Sequence, residues 1–402
     1  MLPALQGRRV VALIGVWCGV TFLFIAAFAT NWRLVWGAVG VPAMSPAFAD
    51  LRTITGGVRS IALGFDPLTY NPGDPWQRTM NYPRIWLSLF AHLGIDDRNV
   101  AMVGVLFAVV FLVCISKLIL DARSRLEVWC LALSVGSIAG TFALERGNSD
   151  LLVFALVFGG LVTRGVMVAL ALMAAAAALK LFPLAGFVGL APYRLAARDN
   201  LRPFVVAVGV TAVVLGLQFA DLDEILRGTP RAASWSYGIL AVRLSVEKAL
   251  EVLGAGEGRQ QLAGNVSVVA IWVAALAVAV IAWRRTPALT RAAAIDQRAD
   301  LFLGFGTIYA ATFLLGSNWE YRLIFLIPTL PFMLGLRERV PAWGRTAIAY
   351  AALWLVVLNI DLLGRYSLPV GHIAKTTMAL AVLFVVVQIL HARFRPEPTA
   401  GC

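Results

Sequence analysis

Apolar residues fill this chain in long stretches, and polar residues arrive in bunches between them. Most of the apolar runs are about 15 to 22 residues long, near the helix length that crosses a hydrocarbon core of about 30 Å. They fall at 10–30, 99–120, 127–144, 150–163, 165–180, 182–192, 203–220, 265–283, 301–316, 322–336, 346–362 and 372–391. About twelve helices are therefore expected. Runs 165–180 and 182–192 are divided because Lys180 and Pro183 lie at their junction. Proline removes a helix hydrogen bond, and an ammonium is costly at mid-membrane. Two short helices meeting at a membrane face are expected there.

Two segments between runs, 31–98 and 221–264, are too long to be turns. In the first, Leu51, Ile54, Val58, Ile61 and Phe65 recur at steps of three and four, with Arg52 and Arg59 on other faces. That spacing predicts an amphipathic helix lying in the membrane interface. From Asp66-Pro67 to Pro83 the chain is rich in Pro, Asn, Gly and aromatic residues, which predicts an ordered loop with turn chemistry. Asp66 and Asp74 each precede a proline and read as turn residues. In the second segment, Leu240, Leu244, Leu250 and Leu253 suggest another surface helix.

Composition decides the class. Of 402 residues, 60% are hydrophobic and 14% charged, whereas a soluble domain carries roughly a quarter charged residues. A soluble, disordered or fibrous protein is excluded. The expected fold is an all-α polytopic membrane protein, one integral-membrane domain over 1–402, with amphipathic helices on the extracytoplasmic face. The formal net charge is 34 − 22 = +12. In a soluble domain this would suggest nucleic acid, but here the arginines sit in alternate loops and no nucleic-acid partner is expected. With Arg8 and Arg9 in the cytoplasm, the same face receives Arg123, Arg125, Arg164, Arg194, Arg198, Arg202, Arg284, Arg285, Arg291, Arg298, Arg337, Arg339, Arg345, Arg393 and Arg395. The short loops of the other face carry Arg146, Lys180, Arg322 and Arg365. This positive-inside pattern predicts cytoplasmic termini in a bacterial inner (plasma) membrane. Ala27-Phe28-Ala29 imitates a signal-peptidase site, but the apolar run before it suits an uncleaved anchor. Cys18, Cys114, Cys130 and Cys402 have no paired or metal-ligand spacing.

In that topology the outer face collects Asp50 with Arg52, then Asn81-Tyr82-Pro83-Arg84, then Glu145-Arg146-Gly147-Asn148-Ser149-Asp150, then Lys180 with Pro183, then Ser317-Asn318-Trp319-Glu320-Tyr321-Arg322. Polar groups near lipid are expensive, so clusters at one depth suggest a shared site. Each also has a plainer reading. Asp50 could cap a helix. Arg146 and Asp150 could pair at a helix end. Lys180 could snorkel to headgroups, and Glu320 and Arg322 could anchor at the interface with Trp319 and Tyr321. Asp361 near Arg365 reads as a local pair. Taken together, the set suits transfer of a sugar from a lipid phosphate. A carboxylate serves as general base toward an acceptor hydroxyl, and guanidinium and ammonium groups stabilise the phosphate leaving group.

Asp50-Leu-Arg-Thr, Asp66-Pro-Leu-Thr-Tyr70 and Asn81-Tyr82-Pro83 resemble the first extracytoplasmic loop of the glycosyltransferase C superfamily, family 87 above all. Arg146-Gly147-Asn148-Ser149-Asp150 resembles that family's Arg-Gly-Asn-x-Asp segment, and Lys180-Leu181-Phe182-Pro183 its Lys-x-x-Pro element. Asn318-Trp319-Glu320-Tyr321-Arg322 resembles its later Tyr-Arg loop. Arg84 follows Pro83 where many members carry a second proline. The resemblance implies a mannosyltransferase-like enzyme that inverts the anomeric centre of a polyprenyl-phosphate monosaccharide. Its acceptor would be a hydroxyl of a glycolipid or glycan. Asp50 would be the catalytic base, with Arg322, Lys180 and Arg146 on the donor phosphate. Arg52, Asn81, Tyr82, Asn148, Asp150, Asn318, Glu320 and Tyr321 would contact substrate. No cofactor or metal is expected; Asp96-Asp97 is an isolated pair. Two other readings compete: a transporter or lipid flippase, which predicts symmetric broken helices, and an O-antigen-ligase-like transferase using a pyrophosphate-linked donor. Segment 221–264 is modest and lacks histidine, which sets this chain apart from such ligases.

Overall fold

Helix dominates the chain. In a computed structural model, residues 2–190, 202–285, 289, 294–360 and 368–394 are described. The helices are α1 (Leu2–Ala29), α2 (Trp32–Ala38), α3 (Ala49–Ala62), α4 (Ile85–His92), α5 (Val100–Asp121), α6 (Arg125–Val135), α7 (Ile138–Arg146), α8 (Asp150–Val162), α9 (Val166–Leu179), α10 (Arg202–Phe219), α11 (Leu222–Gly228), α12 (Ile239–Val252), α13 (Glu257–Arg284), α14 (Gln297–Leu315), α15 (Leu330–Arg339), α16 (Gly344–Asn359) and α17 (Leu368–Phe394). Arg194, Arg198, Arg291, Arg395, the Asp361–Arg365 pair and Cys402 lie outside the described residues.

Six of these stretches are long and apolar enough to cross a membrane: Ala4–Ala29, Val100–Asp121, Glu257–Arg284, Gln297–Leu315, Pro341–Asn359 and Pro369–Phe394. α6 and α7 make a seventh if their 40° bend is counted as one broken span. Ser137 breaks the pair and caps α7 by accepting from Gly140 N. Glycine is needed at 140, where a Cβ would lie 2.5 Å from Val135 O. These seven coincide with seven of the expected runs. The rest take other forms. α8 and α9 have 13 and 14 residues, about 20 Å of helix each. Run 203–220 supplies the apolar stretch Val208–Phe219. Runs 182–192 and 322–336 differ most from expectation. Phe182–Leu190 and Glu320–Thr329 form successive 3-10 turns, and only after the second does α15 begin. Pro328 lies inside the second of these turns, where its missing N–H would break an α-helical ladder; Pro183 is the second residue of the first. The long helices turn large apolar side chains outward, Phe22 and Ile25 on α1 and Trp272 and Leu276 on α13 among them, as lipid-facing helices do.

The chain divides into two compact units. One comprises 1–187, 191–231 and 320–324, the other 188–190, 232–319 and 325–402. In the first, α1 packs on α5 and α6, α5 on α8, α8 on α9, and α3 on α4. Phe111 and Phe154 meet edge-on in its core at 5.0 Å. In the second, α12 and α17 pack on α13, and α15 packs on α16. There Arg393 Nη2 donates to Asp300 Oδ1 at 2.7 Å, both fully enclosed. Tyr309 donates to the Lys375 carbonyl at 2.9 Å. A two-residue antiparallel ribbon, β1 (Ser236–Tyr237) with β2 (Asn318–Trp319), departs from the all-α expectation.

α3 is the predicted amphipathic helix, but it does not lie bare on a surface. Leu51 and Ile54 are buried, whereas Ile61 and Phe65 are exposed, so the expected apolar face is only half used. The turn-rich loop that follows covers the helix instead. Ser60 Oγ donates to Asn71 Oδ1 at 2.7 Å and accepts from Gly73 N at 2.9 Å. Asn71 Nδ2 donates to Thr53 O at 3.1 Å. Gly56 and Gly73 let the two backbones touch; a Cβ on Gly56 would lie 2.5 Å from Asp74 N. Asp66 and Asp74 do build turns: Asp66 accepts from Leu68 N, and Asp74 Oδ2 accepts from Trp76 N and Arg78 N.

Candidate active site

The first unit brings five separated stretches together around one asparagine. α7 ends at Gly147, which adopts the left-handed conformation with φ +55. A Cβ there would lie 2.7 Å from the Phe48 ring. The chain reverses, Asn148 enters the site, and α8 begins at Asp150. Arg146 and Asp150 thus sit on different helices, which removes the same-helix pairing the spacing allowed. Asn148 Oδ1 accepts from Asp150 N at 2.7 Å and from Lys180 Nζ at 3.4 Å. Its Nδ2 donates to Asp50 Oδ2.

Asp50 lies in the first turn of α3. It is not the cap; that position belongs to Phe48, a non-glycine residue at φ 60 with no side-chain capping bond. Arg78 Nη1 stands 3.6 Å from Asp50 Oδ1. Arg78 is held in turn by Asp74, through Nε at 3.2 Å and Nη2 at 2.8 Å, and by the Ala49 carbonyl at 2.5 Å. Burial opposes the Arg78 charge, but its hydrogen bonds to Asp74 and the charges of Asp50 and Asp74 outweigh it and raise the guanidinium above its ordinary value.

Lys180 follows α9 in an extended conformation. Ending α9 there orphans its last carbonyls. Trp86 Nε1 satisfies Leu179 O at 2.9 Å, and Gln218 Nε2 satisfies Ala177 O and Ala178 O at 3.0 Å each. The freed Lys180 ammonium donates to Asp150 Oδ1 and lies 4.8 Å from the centre of the Tyr82 ring. Arg322 Nε donates to the other oxygen, Asp150 Oδ2, at 3.0 Å, and its guanidinium lies 4.4 Å from the Phe182 ring centre. Tyr321 is buried with its ring edge-on to Phe142 at 5.4 Å. Burial first, and then the negative charge of Asp50, push the Tyr82 phenol well above its ordinary range, so it stays an O–H donor at neutral pH.

The structure thus brings Asp50, Tyr82, Asn148, Asp150, Lys180, Tyr321 and Arg322 together. The other five expected members are not among them. Arg146 donates to Pro42 O at 2.9 Å, stands 3.2 Å from Glu145 and stacks on Phe142 at 5.0 Å. Arg52 turns to Ala47 O at 2.8 Å and to Asp97 at 4.0 Å. Asp97 also receives Arg59 and Thr55, so it fastens α3. Asn81 is half-buried and makes no side-chain hydrogen bond among the described residues. Asn318 belongs to the second unit, where its Nδ2 donates to Thr312 O at 2.6 Å. Glu320 is buried in the first unit. Arg78 and Phe182 are the members sequence reasoning missed. The Asp74 and Arg78 spacing of four inside a turn-rich loop was the available signal for the first.

Exposure separates the roles. The Asp150 side chain is 0% exposed while Asp50, Lys180 and Arg322 are 14%, 8% and 17%. Asp150 can orient the two cations; Asp50 and Arg322 can meet a ligand. The arrangement offers an accessible carboxylate to take a proton and, one asparagine away, two cations to receive an anion. Among the described residues no three His, Cys, Asp or Glu side chains form a group that could hold a metal ion. No protein-family model, curated protein or solved structure matches this chain.

Proposed function

We propose that the protein is an integral-membrane glycosyltransferase that moves a monosaccharide from a polyprenyl-phosphate donor to a hydroxyl of a glycolipid or glycan. One observation carries the reading: the Asp50 carboxylate and the Lys180 and Arg322 cations are joined through Asn148 and Asp150. In the proposed step the acceptor oxygen attacks the anomeric carbon as the sugar–phosphate C–O bond breaks. The configuration inverts, the acceptor proton passes to Asp50, and polyprenyl phosphate leaves with its charge against Arg322 and Lys180. Mannose is the expected sugar. A donor with a long lipid tail suits a chain whose helices expose apolar side chains. The reading includes a site on the extracytoplasmic face of a bacterial inner membrane, cytoplasmic termini, and about twelve crossings of a glycosyltransferase C fold in which the short helices take part.

The test is transfer by purified protein from radiolabelled polyprenyl-phosphate mannose to a lipid-extract acceptor. The same assay is run with a pyrophosphate-linked glycan donor. Monophosphate-dependent transfer that Asp50→Asn abolishes is the expected result. Unchanged turnover in that variant, or use of the pyrophosphate donor alone, overturns the reading.

A further inference from the structure

Four consecutive residues at the end of α7 grip successive points of the segment that leads into Asp50. Glu145 Oε1 accepts from Trp32 Nε1 and from Met44 N, both at 2.9 Å. Arg146 Nη2 donates to Pro42 O at 2.9 Å. Gly147 makes room for the Phe48 ring, as Gly104 does from α5 with a would-be Cβ 2.7 Å from the same ring. Asn148 donates to Asp50. Between α2 and α3 the chain has no regular structure, and its backbone bonds at Gly40, Val41 and Ala43 are local. The side-chain bonds from α7 tie the first half of this stretch, through Pro42 and Met44, while Arg52 of α3 holds Ala47 O at 2.8 Å. Phe48 at φ 60 shows that it is held in a conformation a non-glycine residue seldom adopts. Aromatic packing supports that turn, with Trp32 at 5.0 Å and Phe24 at 5.8 Å from Phe48.

We propose that Glu145 is a positioning residue for the Asp50 carboxylate. It is fully buried, and one of its oxygens takes two donors from positions 32 and 44. Its other oxygen lies 3.2 Å from Arg146 Nε without a hydrogen bond, and Arg146 itself donates to Pro42 O at 2.9 Å. The loop carrying Asp50 is thereby clamped to the helix whose end carries Asn148. Lys180 and Arg322 come from other stretches and do not depend on this clamp. Loss of Glu145 therefore moves the base and leaves the phosphate-binding cations in place. This inference rests on the reading of Asp50 as the transferase base.

The test combines hydrogen exchange, which needs no activity, with kinetics. In Glu145→Ala the Met44 amide should exchange faster. Turnover should fall by on the order of a hundredfold, the cost of misplacing a reacting group by about 1 Å, while KM for the donor stays within about twofold. Glu145→Gln should restore both readouts, because its amide oxygen can accept from Trp32 and Met44. Trp32→Phe removes one of the two donors while keeping an aromatic ring, and should lower turnover in the same direction should Glu145→Ala fail to fold. In an Asp50→Asn background, Glu145→Ala should cost nothing further, since the carboxylate it places is already gone. Unaltered Met44 exchange, a rise in KM with turnover intact, or a fully additive loss in the Asp50→Asn background overturns the inference. Normal turnover in Asp50→Asn alone instead sinks the base assignment, and Met44 exchange then still decides whether Glu145 holds the segment.

Discussion

Arg322 Nε donates to Asp150 Oδ2 at 3.0 Å, although 172 residues separate the two along the chain. Lys180 takes the other oxygen of the same carboxylate. Both cations are thus aimed by one acid that solvent does not reach. Removing one partner of a buried ion set costs about 3–5 kcal/mol, because the remaining charges lose their compensation. Asp150→Ala should therefore destabilise the protein by about that amount, read as a lowered Tm in detergent. An unchanged Tm would show that the cluster does not contribute to folding.

Arg322 is the more accessible of the two cations. In the proposed reaction it meets the donor phosphate with a planar donor pair that lysine cannot offer. Arg322→Ala should weaken donor binding about tenfold to a hundredfold, the worth of one charged hydrogen bond. Arg322→Lys should recover only part. Equilibrium binding of a fluorescent polyprenyl phosphate measures both, and equal affinity in all three proteins would remove Arg322 from the phosphate site.

Gly56 has no room for a side chain: a Cβ would meet Asp74 N at 2.5 Å and Gly73 C at 2.7 Å. Backbone cannot yield as a flexible side chain can. Gly56→Ala should cost about 1–3 kcal/mol or more and displace Asp74, with it the Arg78 that faces Asp50. Gly37→Ala is the control, with nothing within 4 Å of its Cβ. A Tm for Gly56→Ala matching that of Gly37→Ala would contradict the close packing of α3 on its loop.

Arg84 bridges Asp66 and Asp221 at 2.8 Å each. The Arg84 hydrogen bond holds the Asp66 carboxyl below its ordinary value, more than offsetting the opposite effect of burial. A carboxyl lowered on folding adds stability that is present above its unfolded value of about 4. That stability is lost as pH falls through the lower folded value. Tm should therefore fall with acidity below about pH 4 more steeply in the native protein than in Arg84→Ala. Parallel curves would show that the bridge does not couple to folding.

Much of the candidate site was legible because polar groups in so apolar a chain are conspicuous. Asp50, Asn148, Lys180 and Arg322 stand out in a chain this apolar, and Pro183 announced the break that frees Lys180. What escaped was direction. Arg52 follows Asp50 by two residues, which on a helix turns it to another face, and there Asp97 waits. Arg146 precedes Asn148 by two, but a left-handed glycine between them sends the two side chains to different partners. The 3-10 stretches at Phe182 and Glu320 read as apolar runs because hydropathy carries no information about helix pitch. Arg78 was hidden among turn residues, since its partners Asp50 and Asp74 meet it only once the loop folds back on α3.

Asp150 has a further consequence for selection among ligands. With Lys180 and Arg322 already clasping a resident acid, the donor phosphate of the proposed reaction would share them with it, so docking trades part of one negative group's hold for another's. A small free anion brings nothing beyond its charge and gains little from that swap. A lipid-linked one arrives tethered to the bilayer and stays near the contest, which favours it over the inorganic phosphate of the surrounding water.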